Sequence, residues 1–271
     1  MGTPILIIIY VLSGIIGLCV GSFLNVVIYR VPLGMSLAKP SSHCPNCQYK
    51  LKWYDNIPVI SYIILKGKCR SCKKNISIRY TIVEVVTMLL WLAAVLRFID
   101  ESYIFTIIAM LAIVAFIAVF FIDLEHQIIP DRFNIMILLL GIVALVANLV
   151  FKNNILLTDT IPWQERLAGL VFGGLFFLIF HYGSILILKR EALGFGDVKL
   201  VAACGLLLGI YNLFIAILIS SIIASVVLLI VRKKKNDKKY TEYPFAPFLI
   251  FGMTFAMFFG SYIVNWYISL F

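Results

Sequence analysis

Long apolar runs separated by short polar segments dominate this chain. About 20 apolar residues in a helix cross the hydrocarbon core of a bilayer, so these runs predict membrane-spanning helices. The sixth run is short, and the Gly-Ile-Tyr-Asn sequence that begins at Gly209 is the predicted turn between it and the seventh run. The predicted spans are residues 5–29, 81–98, 103–122, 133–151, 166–188, 198–210, 212–231 and 246–269. The pattern therefore predicts an all-α polytopic membrane protein with about eight transmembrane helices.

The composition supports a membrane protein. Hydrophobic residues make up 62% of the 271 residues and charged residues 13%, whereas a soluble domain carries about 45–50% apolar and about 25% charged residues. The formal net charge of +10 does not require a nucleic-acid partner, because Lys and Arg in a membrane protein first report its topology. We expect the lipid bilayer as a partner and no nucleic acid.

The basic residues set the expected orientation of the helices. The first of them, Arg30, follows the first apolar run, which argues against a cleaved signal peptide and places the amino terminus outside. The inner loops 30–80, 123–132, 189–197 and 232–245, with their flanks, then hold 20 of the 23 Lys and Arg residues. Merging the sixth and seventh runs would place the basic run at 232–239 outside, against the positive-inside rule. We therefore keep eight spans and expect both termini outside.

The polar segment at residues 30–80 is long enough for a small cytoplasmic domain, and it holds four of the six cysteines. Cys44 and Cys47 form one C-x-x-C pair, and Cys69 and Cys72 form a second. Two such pairs supply the four thiolates of a tetrahedral zinc site, and a closed shell of thiolates makes the metal structural. Disulfides are rare in the cytoplasm, where this segment is expected to lie. Thiol redox chemistry and unliganded thiols are the alternatives to a metal site. We predict zinc, which would staple a segment too small to build much core.

Two aspartates stand at the cytoplasmic ends of predicted spans. Asp123 follows the third span, and Asp197 precedes the sixth, within the sequence Gly194-Phe195-Gly196-Asp197. Carboxylates at a membrane are costly and often functional, although each could also serve as a helix cap. Two of them on one side of the membrane indicate a pair that shares a proton and performs acid–base chemistry on a peptide bond. Gly194 and Gly196 lack side chains and would let the backbone approach an extended substrate.

Three further motifs complete the pattern. Residues 21–30 read Gly-Ser-Phe-Leu-Asn-Val-Val-Ile-Tyr-Arg, residues 55–58 read Asp-Asn-Ile-Pro, and residues 244–248 read Pro-Phe-Ala-Pro-Phe. With the cysteine pairs and the sequences around the two aspartates, they resemble the type IV prepilin peptidases, also called prepilin leader peptidase/N-methyltransferases. The resemblance covers nearly the whole chain, and Ala246 stands where that family has Gly.

The resemblance implies an enzyme of the bacterial inner membrane with two activities. One is an aspartic endopeptidase that removes the cytoplasmic leader of prepilins and pseudopilins after a Gly. Asp123 and Asp197 would be its catalytic pair, as in the wider Gly-x-Gly-Asp intramembrane proteases such as presenilin. The other activity is methylation of the new amino terminus by S-adenosylmethionine. The sequence does not identify the residues that bind this cofactor, and we place the methyl site in the loop domain with the adjoining end of the first helix.

The expected parts are a first transmembrane helix at 1–29, a cytoplasmic zinc-binding loop domain at 30–80 and a seven-helix membrane protease domain at 81–271. Two other functions stay open at this point. The chain could be a peptidase alone, with a purely structural zinc loop. It could also be a transporter or an assembly scaffold whose aspartates bind cations, but a transporter would place its carboxylates near the membrane midplane.

Other polar residues near these motifs have simpler interpretations. Asp131 is expected to cap the fourth helix. Glu84 is expected in the first turn of the second helix, where the helix dipole favours an acid, with a role in methyl transfer as the alternative. His181 is expected to hydrogen-bond within the helices rather than to bind a ligand. Lys199 either counters Asp197 or anchors the inner boundary of its helix.

Overall fold

The computed structural model describes residues 3–151, 161–189, 193–235 and 243–270. Within these ranges the regular structure is entirely helical, which confirms the predicted all-α class. The helices are α1 (Thr3–Arg30), a short 3₁₀ helix (Trp53–Asn56), α2 (Ile60–Ile64), α3 (Arg79–Phe98), α4 (Tyr103–His126), α5 (Asp131–Val150), α6 (Trp163–Leu188), α7 (Phe195–Leu208), α8 (Ile210–Lys235) and α9 (Ala246–Ile268).

Seven of the described helices are long and apolar enough to cross a membrane, namely α1, α3, α4, α5, α6, α8 and α9. The sixth predicted run forms α7, which has 14 residues. A helix of that length is about 21 Å long, shorter than the hydrocarbon core of about 30 Å. The protein therefore has seven clear candidate spans and one short helix where the sequence predicts eight spans. Lys152 and the end of the basic run, residues 236–239, lie outside the described residues.

The predicted break between the sixth and seventh runs is present, but it is shorter than the predicted four-residue turn, because α8 already includes Ile210, Tyr211 and Asn212. α7 ends at Leu208 and α8 begins at Ile210, so a single residue separates the two helices. That residue is Gly209, whose φ of +76° is accessible to glycine but costly for other residues. The break lets α7 and α8 run in different directions instead of forming one long helix.

The chain divides into two compact units, Met1–Ile99 (unit 1) and Asp100–Phe271 (unit 2). In unit 1, α1 and α3 pack along each other through glycines of α1. A Cβ atom on Gly21 would lie 2.7 Å from the Cα atom of Glu84, and one on Gly17 would lie 3.0 Å from that of Met88. The close approach buries Glu84 against α1. Glu84 lies in the second turn of α3 because the helix begins at Arg79, so the first-turn prediction is wrong.

Polar contacts organise the segment between α1 and α3. Arg30, the last residue of α1, is buried, and its guanidinium donates to three backbone carbonyls in residues 36–40 at 2.6 to 3.2 Å. Arg70 forms an ion pair with Asp55 at 2.8 Å. These contacts tie the segment to the end of α1 and close it on itself, which suits a segment that is too short for an apolar core.

In unit 2 the short helix α7 is the most enclosed element. It packs against α5, α6, α8 and α9, and ten of its residues are buried. Arg166 of α6 is fully buried and donates to the carbonyls of Leu206 and Leu207 at the carboxyl end of α7. A cation there satisfies open carbonyls and complements the helix dipole. Arg166 thus holds one end of α7.

Candidate active site and metal centre

Asp123 lies in the last turn of α4, and it is 5% exposed. The helix ends at the following residues because Gln127 adopts a left-handed conformation with a φ of 54°, and its N–H donates to the carbonyl of Asp123 at 3.0 Å. The backbone N–H of Ala246, at the start of α9, forms a hydrogen bond to the Asp123 carboxylate. Its Oδ2 atom has no hydrogen-bond partner in the described part of the chain. The end of α4 therefore carries a buried carboxylate in which one oxygen accepts no hydrogen bond from the described residues.

Asp197 is the third residue of α7, and it is 8% exposed. Gly194 occupies the N-cap position, and its backbone forms a hydrogen bond to the Asp197 carboxylate. A Cβ atom on Gly194 would lie 3.3 Å from Oδ2 of Asp197, so the glycine leaves room for the carboxylate. The Oδ1 atom of Asp197 has no hydrogen-bond partner among the residues that the structure covers. The two aspartates thus share the same state, buried and half satisfied.

The structure brings the two aspartate motifs together within unit 2. Gly196 faces the connection between α4 and α5, where a Cβ atom on it would lie 3.2 Å from Cβ of Ile129. Lys199 of α7 forms an ion pair with Asp131 of α5 at 2.8 Å. The charge of the first aspartate also acts on the carboxylate of the second. Two carboxylates whose charges repel each other favour a state in which the pair keeps one proton.

Asp131 does not cap α5. The N-cap residue is Pro130, and no side chain caps this end of the helix, so the capping prediction is wrong. Asp131 is instead the first helical residue, and its exposed carboxylate pairs with Lys199. The ion-pair partner of Lys199 is therefore Asp131 rather than Asp197. The pair joins the start of α5 to the second turn of α7.

His181 supports the segment that carries Asp197. It lies in α6 and is 6% exposed. Its Nδ1 atom is 2.7 Å from the carbonyl oxygen of Leu193, so this nitrogen carries the proton and donates. The ring also packs against Phe195, with ring centroids 5.6 Å apart. The prediction that His181 forms a hydrogen bond is confirmed. Its partner, the carbonyl of Leu193, could not be predicted from the sequence around His181.

The second site is the cluster of four cysteines in unit 1. The sulfur atoms of Cys44, Cys47, Cys69 and Cys72 all lie within 4.8 Å of one another. The distances are 3.9 Å between the sulfurs of Cys44 and Cys72 and 3.9 Å between those of Cys47 and Cys69. Thiolates bound to one zinc ion at about 2.3 Å in a tetrahedron would lie about 3.8 Å apart. The four side chains therefore fit a tetrahedral metal site.

The two cysteine pairs have the same backbone structure. Gln48 and Lys73 each follow the second cysteine of a pair with positive φ values of 59° and 60°. Their N–H groups donate to the carbonyls of Cys44 and Cys69 at 2.9 and 3.1 Å. The N–H group of Cys72 lowers the pKa of the Cys69 thiol to about 7. A thiol with a lowered pKa forms the thiolate that binds metal more readily.

The chain is similar to known proteins over both of the regions that contain these residues. A family model described as "Bacterial Peptidase A24 N-terminal domain" matches residues 15–98, and one described as "Type IV leader peptidase family" matches residues 109–229. A prepilin leader peptidase/N-methyltransferase of Legionella pneumophila is 34% identical over 96% of this chain and 94% of its own. The leader peptide-processing enzyme for type 4 prepilin-like proteins of Escherichia coli is 34% identical over 89% of this chain and 91% of its own.

A prepilin leader peptidase/N-methyltransferase of Pseudomonas aeruginosa is also similar, with 32% identity over 94% of this chain and 92% of its own. No solved structure is significantly similar to the chain. The first family model lies within unit 1, which holds the cysteine cluster, and the second lies within unit 2, which holds the aspartates. The two sites therefore fall in the two separately matched regions.

Proposed function

Because this chain belongs to the type IV leader peptidase family, we propose that it removes the leader from prepilins and pseudopilins after a Gly and then methylates the new amino terminus. The chain is a multi-pass protein of the inner membrane with peptidase and N-methyltransferase activity. The observation that carries the peptidase assignment is the aspartate pair of unit 2, buried at the ends of two helices with an open oxygen on each carboxylate.

The two carboxylates supply the groups that peptide hydrolysis needs. One, ionised, takes a proton from a water molecule, whose oxygen attacks the carbonyl carbon of the scissile bond. The other, protonated, polarises the carbonyl oxygen. The carbon–nitrogen bond then breaks, and the departing amine receives a proton from the pair. Asp123 and Asp197 are the proposed pair, and Gly194 and Gly196 keep the segment before Asp197 free of side chains so that an extended substrate can approach.

The four cysteines are proposed to hold a structural zinc ion. A shell of four thiolates leaves no open position for water or substrate, so this metal would stabilise the segment between α1 and α3. The segment, residues 30–80 in the proposed division of the chain, is built from polar contacts, which supports a stabilising role for the metal. The remaining proposed parts are the first helix at 1–29 and the protease domain at 81–271.

S-adenosylmethionine is the proposed methyl donor, because the relatives are named N-methyltransferases. Both aspartates are proposed to face the cytoplasm, with both termini outside, on the distribution of Lys and Arg. A peptidase without the second activity is less well supported, since the relatives carry both activities in their names. A cation transporter does not agree with membership of a peptidase family.

The test of the peptidase assignment is cleavage by Asp123→Asn and Asp197→Asn. Asparagine keeps the shape of the side chain but cannot carry the proton, and positioned acid–base groups contribute at least about a hundredfold. We expect each variant to retain less than about 1% of the cleavage rate on a purified prepilin. Asp131→Asn is the matched control, and it should cost far less because its exposed ion pair contributes about 1 kcal/mol at most. Substantial cleavage by both single variants would refute the pair.

A further inference from the structure

Unit 1 contains a cavity of about 430 Å³ between the end of α1, the start of α3 and the cysteine segment. Sites for small molecules in proteins measure roughly 300–1,000 Å³, so the cavity is large enough for a cofactor. All of its lining residues belong to unit 1, and none belongs to the aspartate site. Its polar lining includes Ser22, Asn25, Arg30, Asp55, Tyr80 and Glu84.

The lining contains a buried carboxylate without a cationic partner. Glu84 is 8% exposed and accepts hydrogen bonds from the N–H of Val59 at 2.8 Å and from the side chain of Ser22. It forms no ion pair with the described residues. The other carboxylate of the lining, Asp55, is paired with Arg70 at 2.8 Å. A buried carboxylate is costly unless it is matched by a cation, and Glu84 is thus suited to meet a cationic ligand.

The backbone around Glu84 indicates that its position is closely defined. Val59, whose N–H points at the carboxylate, has a φ of 61°, which is unusual for a β-branched residue. On the other side, Gly21 lets α1 approach the Cα atom of Glu84. The carboxylate is therefore held between α1 and the loop before α2.

A second polar side chain of the lining, that of Asn25, has a hydrogen-bond acceptor left unsatisfied by the described residues. Asn25 is 4% exposed, and its Nδ2 atom donates to the carbonyls of Gly21 at 3.2 Å and Tyr80 at 3.0 Å. Its Oδ1 atom accepts no hydrogen bond from the part of the chain that the structure describes. Buried acceptors are nearly always satisfied in native proteins. Tyr80, whose carbonyl accepts from Asn25, lies one turn of α3 before Glu84. Asn25 and Glu84 together favour a ligand that brings donors and positive charge.

We propose that this cavity binds S-adenosylmethionine and that Glu84 faces one of its cationic groups. The proposal rests on the methyltransferase activity given under the proposed function. The donor carries a sulfonium and an ammonium group for Glu84, a carboxylate for Lys74 and an adenine ring for the tyrosines of the lining. Lys74 is the lining cation that is not already paired with a carboxylate or held by several carbonyls in the described part of the chain. The cavity lies at the carboxyl end of α1, which the positive-inside rule places on the cytoplasmic side of the membrane. A charged, polar donor is found in the cytoplasm.

The reaction there is a methyl transfer between two groups of the bound substrates. The neutral amine of the cleaved pilin attacks the methyl carbon with its lone pair, and the carbon–sulfur bond breaks. The bonding electrons stay on sulfur, which becomes the neutral thioether of S-adenosylhomocysteine. The nitrogen becomes a methylammonium group, which can later release one proton to water. The sulfonium charge disappears in this step, so Glu84 binds the reactant more strongly than the product if it faces the sulfur.

The test is binding of methyl-tritiated S-adenosylmethionine to the purified full-length protein, measured by equilibrium dialysis. Glu84→Gln keeps the size of the side chain and removes its charge. We expect affinity to fall at least about tenfold, because a neutral amide loses the attraction between opposite charges, which is strong at a buried position. Methylation of an already cleaved pilin should fall in parallel, and cleavage of prepilin in the same sample should stay within about twofold. Glu101→Gln, an exposed site in unit 2, is the matched control and should bind as the parent does.

A second variant covers the case in which Glu84→Gln does not fold. Ser61→Trp adds bulk at another lining position on α2, and it should also block binding while cleavage continues. Comparison with S-adenosylhomocysteine locates the charge: a selective loss of S-adenosylmethionine places Glu84 at the sulfonium, and an equal loss places it at the ammonium. Either result supports the proposal.

Unchanged donor binding in both variants would overturn the proposal. So would a loss of methylation by Glu84→Gln with donor affinity intact, because Glu84 would then serve the amine of the pilin. A parent protein that cleaves prepilin but neither binds the donor nor methylates a cleaved pilin would show a different failure. In that case the methyltransferase half of the proposed function falls first, and the cavity assignment falls with it.

Discussion

At the scale of single residues, a buried polar side chain on a neighbouring helix can fix the backbone that leads to an aspartate. His181 is the clearest example. From α6 it holds the carbonyl of Leu193, one residue before the glycine that caps α7 and bonds to Asp197. A side chain that fixes this carbonyl also fixes the approach of the chain to the carboxylate. We therefore regard His181 as a positioning residue, which acts on the reaction through Asp197 and not by contact with substrate.

His181→Phe should lower the turnover number for prepilin cleavage by about tenfold to a hundredfold, since small displacements of a catalytic group have effects of that size. Phenylalanine keeps the ring beside Phe195 but removes the donor. His181→Asn, which can place an N–H near the Nδ1 position, should recover much of the loss. KM should change little, because the lost interaction matters in the transition state and not in substrate binding.

Kinetics on a synthetic prepilin peptide would measure these values, with the exposed Tyr182→Phe as the neighbouring control. A turnover number for His181→Phe equal to that of the parent would contradict the positioning role. So would a failure of His181→Asn to improve on His181→Phe, because that result would point to the ring's shape and not to its hydrogen bond.

The residues whose roles were predicted wrongly depend on partners distant in sequence. Asp131 follows a proline, which suggests a cap, yet its partner Lys199 is 68 residues away. Glu84 would be a first-turn acid if α3 began at residue 81, but the helix begins at Arg79 and Glu84 lies in its second turn. There it is buried by α1, which packs against its Cα atom through Gly21. Local patterns report backbone preferences but not which helix packs alongside. The two aspartates and four cysteines could be found because their residue types and spacings are unusual in any context.

At the scale of elements, the contact between α6 and α7 depends on two facing glycines. A Cβ atom on Gly205 of α7 would overlap the carbonyl of Gly169 on α6, and the reverse substitution meets the carbonyl of Gly205. Small residues at such contacts let helix backbones approach closely in membranes. The hydropathy pattern predicts that both segments are helices, and Gly209 marks the break after α7. The hydropathy pattern cannot predict that the shortest helix of unit 2 is also its most enclosed one, because burial follows from packing and not from apolar content.

Gly205→Ala should therefore destabilise unit 2 by about 1–3 kcal/mol, the usual cost of overpacking. The matched control is Gly183→Ala, also in α6, where an added Cβ atom would meet nothing within 4 Å. That change should be neutral or should stabilise the helix by up to about 1 kcal/mol, because alanine favours helix more than glycine does. Thermal unfolding in detergent would measure both. Equal stability of Gly205→Ala and the parent would show that the two helices can separate without cost.

The cysteine segment gives a prediction of its own. Purified protein should contain about one zinc ion per chain, the number that one shell of four thiolates holds. Cys44→Ser and Cys72→Ser should lower the zinc content and make residues 30–80 sensitive to protease, because metal binding is coupled to folding in such segments. Cys19→Ser, at an exposed position of α1 outside the cluster, should leave both unchanged. Metal-free protein with four reactive thiols and a protease-resistant segment would rule out the zinc site.

At the scale of the whole molecule, the sites proposed for the two reactions lie in different units of the chain. The aspartate pair lies in unit 2, and the cysteine cluster and the cavity with Glu84 lie in unit 1. The order of the two reactions follows from the substrate. Before cleavage the nitrogen to be methylated belongs to an amide, whose lone pair is held by resonance. After cleavage it is an α-amine with a pKa of about 8, which loses its proton readily and becomes a nucleophile. Cleavage must therefore precede methylation.

If the sites are separate, Asp197→Asn should fail to cleave a prepilin but should still methylate a pilin that already has a free amino terminus. The measurement is the mass of the pilin after incubation with S-adenosylmethionine, which should rise by one methyl group at about the rate of the parent protein. Uncleaved prepilin in the same mixture serves as the internal control and should gain no mass, since its amide nitrogen is not nucleophilic. Loss of methylation in a folded Asp197→Asn protein would mean that the two reactions share the aspartate site. The cavity in unit 1 would then need another ligand.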